Sequence, residues 1–472
     1  MYYCINWKLF SVFVCRNFSL LFYHSQLYEK GRQKDIHSTV INPWEDLTNA
    51  KKYVLNTDWN PSISGSMGII TFQKMFSNDN FNFAISIETQ DGVTIQSITN
   101  DYMKGKSNTI LERVKWIYLK RVKVADIFNL IKIREFIEFV SRKESAKGFI
   151  NDKENKYIVF CGEKKEPLLI DLTNRGSERY AGRIILSNII KINADSFFAR
   201  NKGIIDVDEL SNKRVTIFGV GSLGSIIVEQ LCRAGVHNFN LFDYDIYLPN
   251  NVSRHTLITD DLFLNKADAI AKRIKSINPF ATVNSFGFLK NPFNMDEFYT
   301  DYQNVFINSD LIICSTGDEE SEFELNYLLK TISHKKSVPT IYAAILGNGF
   351  GGRFHKVIFN HTPCYECIKL LQRDKPDIYK LYNEEVYEQM NEENYGVYSQ
   401  PGIPGLHVDI SIIASICTKM SLEMLLPKSK QQFSYNSYIW SNKKGWVFQN
   451  AFELKEVVFN KLSNCPMCGH GG

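Results

Sequence analysis

Val215-Thr216-Ile217-Phe218-Gly219-Val220-Gly221-Ser222-Leu223-Gly224-Ser225 is the stretch that decides the fold. An apolar run over 214–218 enters a Gly-x-Gly-x-x-Gly loop, and a helical apolar period leaves it over 222–234. Strand, glycine loop and helix in that order are the context in which this motif carries meaning. Glycines let backbone amides approach phosphate oxygens, and the helix N-terminus adds unpaired N–H groups with a partial positive charge. Gly219, Gly221, Ser222 and Gly224 are therefore expected to line a nucleotide site. The loop alone does not separate a dinucleotide from ATP.

Outward from this loop, strands alternate with helices from about residue 213. Strand-type runs recur at 240–242, 310–314 and 340–343, and the helix at 264–277 carries Ala267, Ile270, Ala271, Ile274 and Ile277 on one face. A last helix at 409–425 and strands near Tyr438 and Val447 close the chain. Such alternation predicts an α/β fold, a Rossmann-like, mostly parallel sheet with helices on both faces. Upstream the texture differs. Strands at 83–88 and 93–98 meet at Asp91-Gly92, a hairpin dipeptide. A helix is expected at 125–140 and strands at 157–161 and 168–172. These elements predict a smaller α+β domain over 1–190 ahead of the nucleotide domain at 191–472.

Composition narrows the class. The chain has 472 residues, 44% hydrophobic and 22% charged, with 55 basic and 51 acidic side chains and a net charge of +4. That length asks for two or three compact units, and the balanced charge gives no nucleic-acid footprint. Short basic pairs such as Lys120-Arg121 read as solvated surface. The aromatic segment 1–23 is interrupted by Lys8 and Arg16, too early to span a bilayer. It carries no small-residue cleavage site, and is expected to be an extension, with no membrane partner.

Four of the ten cysteines form two Cys-x-x-Cys pairs, Cys364-Tyr-Glu-Cys367 and Cys465-Pro-Met-Cys468. Two such knuckles build a closed four-thiolate site for structural zinc, with no coordination position left for water. They fit a reducing, cytoplasmic compartment better than disulfides do.

The residues after the glycine loop discriminate between nucleotides. Asp243 ends the next strand, at a distance suited to accept both hydrogens of a ribose diol. Then come Asp245, Asn251, Arg254-His255, Lys266 and Asn278-Pro279. A nicotinamide enzyme has no use for an Asn, an Arg and a Lys at the phosphate end, whereas a triphosphate does.

In this order the motifs resemble the ATP site of the ThiF/MoeB/HesA and ubiquitin-activating family, over residues 195–426 and the closing cysteine pair. The resemblance implies that Asp243 holds the ribose, that Asn251, Arg254 and Lys266 hold the phosphates, and that Asp318 binds magnesium. In the family that carboxylate directly follows a Thr; here Gly317 intervenes. Arg200 resembles the arginine that reaches into a partner subunit's site, so a homodimer is implied. The reaction implied is attack of a carboxylate on the α-phosphate of ATP, giving an acyl-adenylate and pyrophosphate, with Arg254, Lys266 and magnesium spreading the charge. The carboxylate would be the free C-terminus of a ubiquitin-like protein, a sulfur carrier or a ribosomally made peptide.

Members that pass the acyl group to a thiol keep a cysteine in the loop after the first knuckle, often as Pro-Gly-Cys. Here the loop reads Gln400-Pro401-Gly402-Ile403, and no cysteine lies between Cys367 and Cys417. Cys232, Cys314 and Cys417 read as core, and Cys161 remains as an alternative nucleophile. His255 and His407 lack a visible partner to activate one. The N-terminal part shows no pattern of a ubiquitin-conjugating domain and is assigned to recognition of the substrate. Against the adenylating enzyme stand two other readings, a dinucleotide-dependent oxidoreductase and a catalytically silent binding module.

Overall fold

The computed structural model describes residues 52–55, 59–74, 81–97, 111–128, 133–143, 149–150, 155–172, 185–191, 194–287, 293, 295–297, 301–346, 349–375, 405–427, 432–445 and 448–469. The N-terminal segment 1–23 and the loop holding Ile403 lie outside these residues. The chain divides into two compact units between Ser196 and Phe197. A boundary after residue 190 would cut a strand that belongs to the first unit.

That first unit contains β1 (Lys52–Leu55), β2 (Met67–Lys74), β3 (Phe81–Thr89), β4 (Thr94–Ser97), β5 (Leu111–Leu119), α1 (Val124–Phe128), α2 (Ile133–Ser141), β6 (Lys156–Cys161), β7 (Glu166–Asp171), β8 (Ile185–Asn188) and β9 (Ile190–Lys191). The helix expected over 125–140 is described as α1 and α2, and residues 129–132 lie outside the described residues. The strands run in the order β8-β7-β6-β5-β2-β3-β1-β9, with β4 on β3. Only Ile189 separates β8 from β9, so the two edges of the sheet are the two flanks of one segment, and the sheet closes on itself. Alternation sorts the side chains. Ile158 and Phe160 of β6 face an interior with Tyr53, Phe72 and Trp116, while Tyr157 and Val159 face Ile127, Phe136 and Val140 of the helices. Across the interior, Lys156 Nζ donates to Tyr53 Oη (2.6 Å) and Glu112 Oε1 (2.6 Å), and the Tyr53 hydroxyl donates to Glu112 Oε2 (2.6 Å).

In the second unit come β10 (Arg214–Phe218), α3 (Ser222–Ala234), β11 (Asn238–Phe242), α4 (Lys266–Ile277), β12 (Thr282–Phe286), β13 (Leu311–Cys314), α5 (Glu319–Ile332), β14 (Thr340–Leu346), β15 (Gly351–Val357), α6 (Tyr365–Asp374), α7 (His407–Leu425), β16 (Ser437–Ser441) and β17 (Glu453–Val457). Val447, near which a closing strand is expected, lies outside the described residues; the last described strand is β17. The order is β12-β11-β10-β13-β14-β15-β16-β17. Pairing is parallel from β12 to β14 and antiparallel beyond. Val215, Ile217 and Ile313 face α3, α4 and α7 on one side of the sheet; Phe218, Ile312 and Cys314 face α5 and α6 on the other. Burial on both faces explains why these strands read as continuous apolar runs. Among the described residues no helix is long and apolar enough to cross a membrane.

Candidate active site

Strand order in the parallel half reverses between β10 and β13, because β10 connects outward to β11 and β13 connects the other way to β14. Open α/β sheets bind ligands at the carboxyl ends of the strands at such a switch point. A cleft of about 720 Å³ lies there, and Gly219, Gly221, Ser222, Asp243, Asp245, Asn251, Arg254, Lys266 and Asp318 all line it.

The glycine loop is held by its neighbours. Gly219 adopts φ +79°, and a Cβ on it would stand 2.9 Å from the backbone of Ser315 and Thr316. A Cβ on Gly224 would stand 1.9 Å from the Gly219 carbonyl oxygen, whereas one on Gly221 would meet no protein atom within 4 Å. Two glycines thus pack the loop against β13, and the third leaves its open side to a ligand. The Ser315 hydroxyl, whose role the sequence did not show, donates to the Gly219 carbonyl at 2.7 Å.

Asp243, at the end of β11, accepts the Val220 N–H on Oδ2 (2.8 Å) and the Asp245 N–H on Oδ1 (2.9 Å). Burial raises its pKa above the usual carboxylate value, against the pull of Lys266 and these amides. Both oxygens are therefore held in fixed positions at the cleft. Asp245 lines the cleft beside Asp243, and its Oδ2 accepts Lys266 Nζ at 2.7 Å. Lys266 is the first residue of α4 and 7% exposed. Its placement depends on Asn265, another residue that sequence reasoning passed over. The Asn265 side chain caps α4 by accepting the Asp268 N–H (3.2 Å) and donates to the carbonyls of Asp243 (2.9 Å) and Asp245 (3.1 Å). An Asn followed three residues later by an Asp before an apolar helix is a capping signature that could have found it.

Asn251 accepts the Leu248 N–H on Oδ1 (3.0 Å), so its amide NH2 is what it can offer a phosphate. Arg254 is half-buried, and burial draws its pKa down. A cation removed from water and facing a cleft favours an anion in that cleft. Asp318 is the N-cap of α5; its Oδ2 accepts the Ser321 N–H (2.9 Å) and hydroxyl (2.6 Å), which hold its pKa below the ordinary value. An exposed carboxylate lining the same cleft as the two cations is of the oxygen-donor type that suits a divalent metal. Glu320 and Glu324 of the same helix also line this wall.

His255 is structural. Its Nδ1 accepts the Leu257 N–H (3.1 Å), so Nε2 carries the hydrogen and donates to the Val220 carbonyl (2.8 Å). Burial pushes its pKa down to about 4. The folded protein then binds fewer protons than the unfolded chain between roughly pH 4 and 6.5, and stability rises with pH across that window. His255 should thus contribute about 3 kcal/mol that is fully present above pH 6.5 and lost on acidification toward pH 4. Denaturant titrations at successive pH values check this: the His255→Gln protein should show a flatter dependence, and an unchanged slope would refute the assignment.

Arg200 is exposed in a turn and does not line this cleft. His407 is exposed at the start of α7 and also lies off it. No cysteine lines the cleft among the described residues. Cys161, Cys232, Cys314 and Cys417 are buried, and burial pushes the last three thiols up to about 12. A thiol in that state is not a nucleophile at neutral pH.

The other four cysteines come together. Sγ atoms of Cys364, Cys367, Cys465 and Cys468 lie within 4.8 Å of one another. The spacings of 3.8 Å (Cys364–Cys367), 3.7 Å (Cys364–Cys465) and 3.4 Å (Cys367–Cys468) are close to the ~3.8 Å edge of a tetrahedron with 2.3 Å zinc–sulfur bonds. Backbone N–H groups of Leu462 and Met467 point at Cys367 and Cys465 sulfurs, the outer-shell support that thiolates need. The donor set fits zinc.

Among known proteins, residues 195–455 match the family described as ThiF family. The ATP-dependent ubiquitin transferase-like protein Cap2 of Escherichia coli (strain TW11681) is 24% identical over 291 residues, which cover 59% of this chain and 44% of that protein. The sulfur carrier protein ThiS adenylyltransferase of Bacillus subtilis (strain 168) is 29% identical over 163 residues, covering 34% of this chain and 45% of that protein. The chain thus spans less than half the length of these curated relatives. In a solved structure of E. coli MccB the similarity gives a TM-score of 0.42 at 18% identity, over 56% of this chain and 67% of that one. The matched family span is more than half of the chain and holds the glycine loop, the Asp243–Lys266 cluster and Asp318, so this chain belongs to the ThiF family.

Proposed function

We propose that the protein is an ATP-dependent adenylyltransferase that activates a C-terminal carboxylate, of a ubiquitin-like or sulfur-carrier protein or of a ribosomally made peptide. The observation that carries this reading is the convergence of Arg254, Lys266 and Asp318 on one cleft around the glycine loop. An oxygen of the carboxylate bonds to the α-phosphorus of ATP, and the bond from that phosphorus to the bridging oxygen breaks, releasing pyrophosphate. Asp243 orients the ribose, while Lys266 and Arg254 stabilise charge that grows on the phosphate oxygens. Magnesium, held by Asp318, would neutralise the triphosphate. Zinc in the four-thiolate cluster would be structural.

No described cysteine is exposed for acyl transfer, which supports release of the adenylate to an amine or thiol from outside the chain. Arg200, exposed and off its own cleft, is free to serve a second copy, which supports a homodimer; the first unit would then recognise the carboxylate's carrier, in the cytoplasm. ATP–pyrophosphate exchange with candidate C-terminal peptides tests the reading, with Asp318→Ala as control. Lys266→Ala should lower exchange by roughly 10²–10³-fold, the scale of losing one preorganised charge contact. Exchange that survives both substitutions would refute these roles. No exchange with any peptide would favour a binding module, and reduction of a nicotinamide would favour an oxidoreductase.

A further inference from the structure

Behind the wall that carries Asp318 lies a buried polar cluster that the adenylation chemistry does not use. Glu322, one turn into α5 and 0% exposed, accepts on Oε2 from Arg353 Nη2 of β15 (2.7 Å) and from the Tyr365 hydroxyl. Tyr365 follows Cys364 of the thiolate cluster and opens α6. Its N–H donates to Asn326 Oδ1 of α5 (3.1 Å), and its ring stacks on Tyr342 (4.6 Å). One turn along α6, Lys369 pairs with Glu319 at 3.1 Å. Every bond between the metal knuckle and α5 therefore lands on the first two turns of the helix that Asp318 caps. Glu322 closes the link, because its N–H donates to the Asp318 carbonyl at 3.2 Å.

A buried ion pair is weak grounds for stability, since well-packed apolar residues of similar size often serve as well. It does fix geometry. We propose that Glu322 and Tyr365 are positioning residues: they couple the four-thiolate knuckle to the N-terminus of α5 and so set Asp318 for its divalent metal. The inference rests on the assignment of that metal to Asp318 above.

The test is Mn2+ binding to the zinc-loaded protein in the presence of ATP, followed by electron paramagnetic resonance, which needs no carboxylate substrate. Tyr365→Phe removes one hydroxyl and keeps the ring stack; it should weaken Mn2+ binding about tenfold, the scale of one hydrogen bond to a charged group. The control is Tyr342→Phe, whose hydroxyl is buried with no hydrogen-bond partner among the described residues. It should leave Mn2+ affinity within about twofold. Asp318→Ala should weaken Mn2+ binding more than Tyr365→Phe does, because only the nucleotide phosphates would then hold the ion. Wild-type affinity in Tyr365→Phe alongside weaker binding in Asp318→Ala overturns the coupling and leaves the metal assignment standing. Undiminished binding in Asp318→Ala overturns the assignment, and the coupling with it. If Tyr365→Phe does not fold, Glu322→Gln combined with Arg353→Met removes both charges together and carries the same test.

Discussion

Gly224→Ala will lose both ATP binding and stability, whereas Gly221→Ala will lose ATP binding alone. The added methyl at 224 would stand 1.9 Å from the Gly219 carbonyl oxygen and 2.7 Å from Ser315 Oγ. Neither neighbour has room to retreat. Gly219 is held at φ +79° so close to Ser315 that even a Cβ would stand 2.9 Å from its backbone, and the Ser315 hydroxyl is bonded to that same carbonyl. The loop must lift off β13, losing that bond, and overpacking of this kind costs about 1–3 kcal/mol. For a unit of this size the melting temperature should fall by roughly 3–10 °C. A methyl at 221 meets no protein atom within 4 Å, so the fold is untouched and only the space beside the phosphates is filled. Calorimetric titration with ATP and thermal denaturation of both variants check the contrast. Equal melting temperatures for the two would contradict the packing role of Gly224.

Removing one thiolate of the cysteine cluster should have the other large effect. Cys364 and Cys367 flank the first turn of α6, and Cys465 and Cys468 follow β17, so a metal there ties the antiparallel end of the sheet to the helical layer. These sulfurs sit in one core with Tyr342, Ile368, Phe448 and Phe459. Structural zinc sites supply on the order of 10 kcal/mol, comparable to the whole stability of a domain. Cys367→Ser should lose zinc and melt more than about 10 °C lower. Native mass spectrometry of the wild type should find one zinc per chain. A lower content, or unchanged melting in the variant, would refute the site.

Much of the cleft was legible because its signals are local. β10 and α3 fall on the expected residues, since an apolar run, a glycine loop and a helical period are each specified within a few positions. Asp243, Asn251, Arg254 and Lys266 follow in order along the connection from β11 to α4, Asp318 follows β13, and all five line one cleft. What escaped depends on distant partners. Glu322 sits in the acidic run of Glu319, Glu320, Glu322 and Glu324, which looks like a solvated helix start favoured by the dipole; only folding sets Arg353 beside it. β15 opens on Gly351-Gly352, which weakens any strand pattern, yet a Cβ at 352 would stand 2.4 Å from Ile413 of α7. β12 is an edge strand on which only Val283 is fully buried, too weak a period to notice. Arg200 rested on resemblance alone, and its own cleft does not include it.

In the first unit the individual strands were legible and their closure was not, and that closure bears on how the unit is made. Val54 of β1 pairs in parallel with Ile190 of β9, so the contact joins nearly the two ends of the described unit. Pairings of such sequence separation are formed late and slow the folding of a sheet. During synthesis β1 cannot find this partner until β9 has left the ribosome, and until then the free flank of β1 offers an open row of amides and carbonyls to any passing strand. Delay between translation of β1 and of β9 accordingly exposes the first unit to aggregation, and slow elongation over that interval should lower the soluble yield.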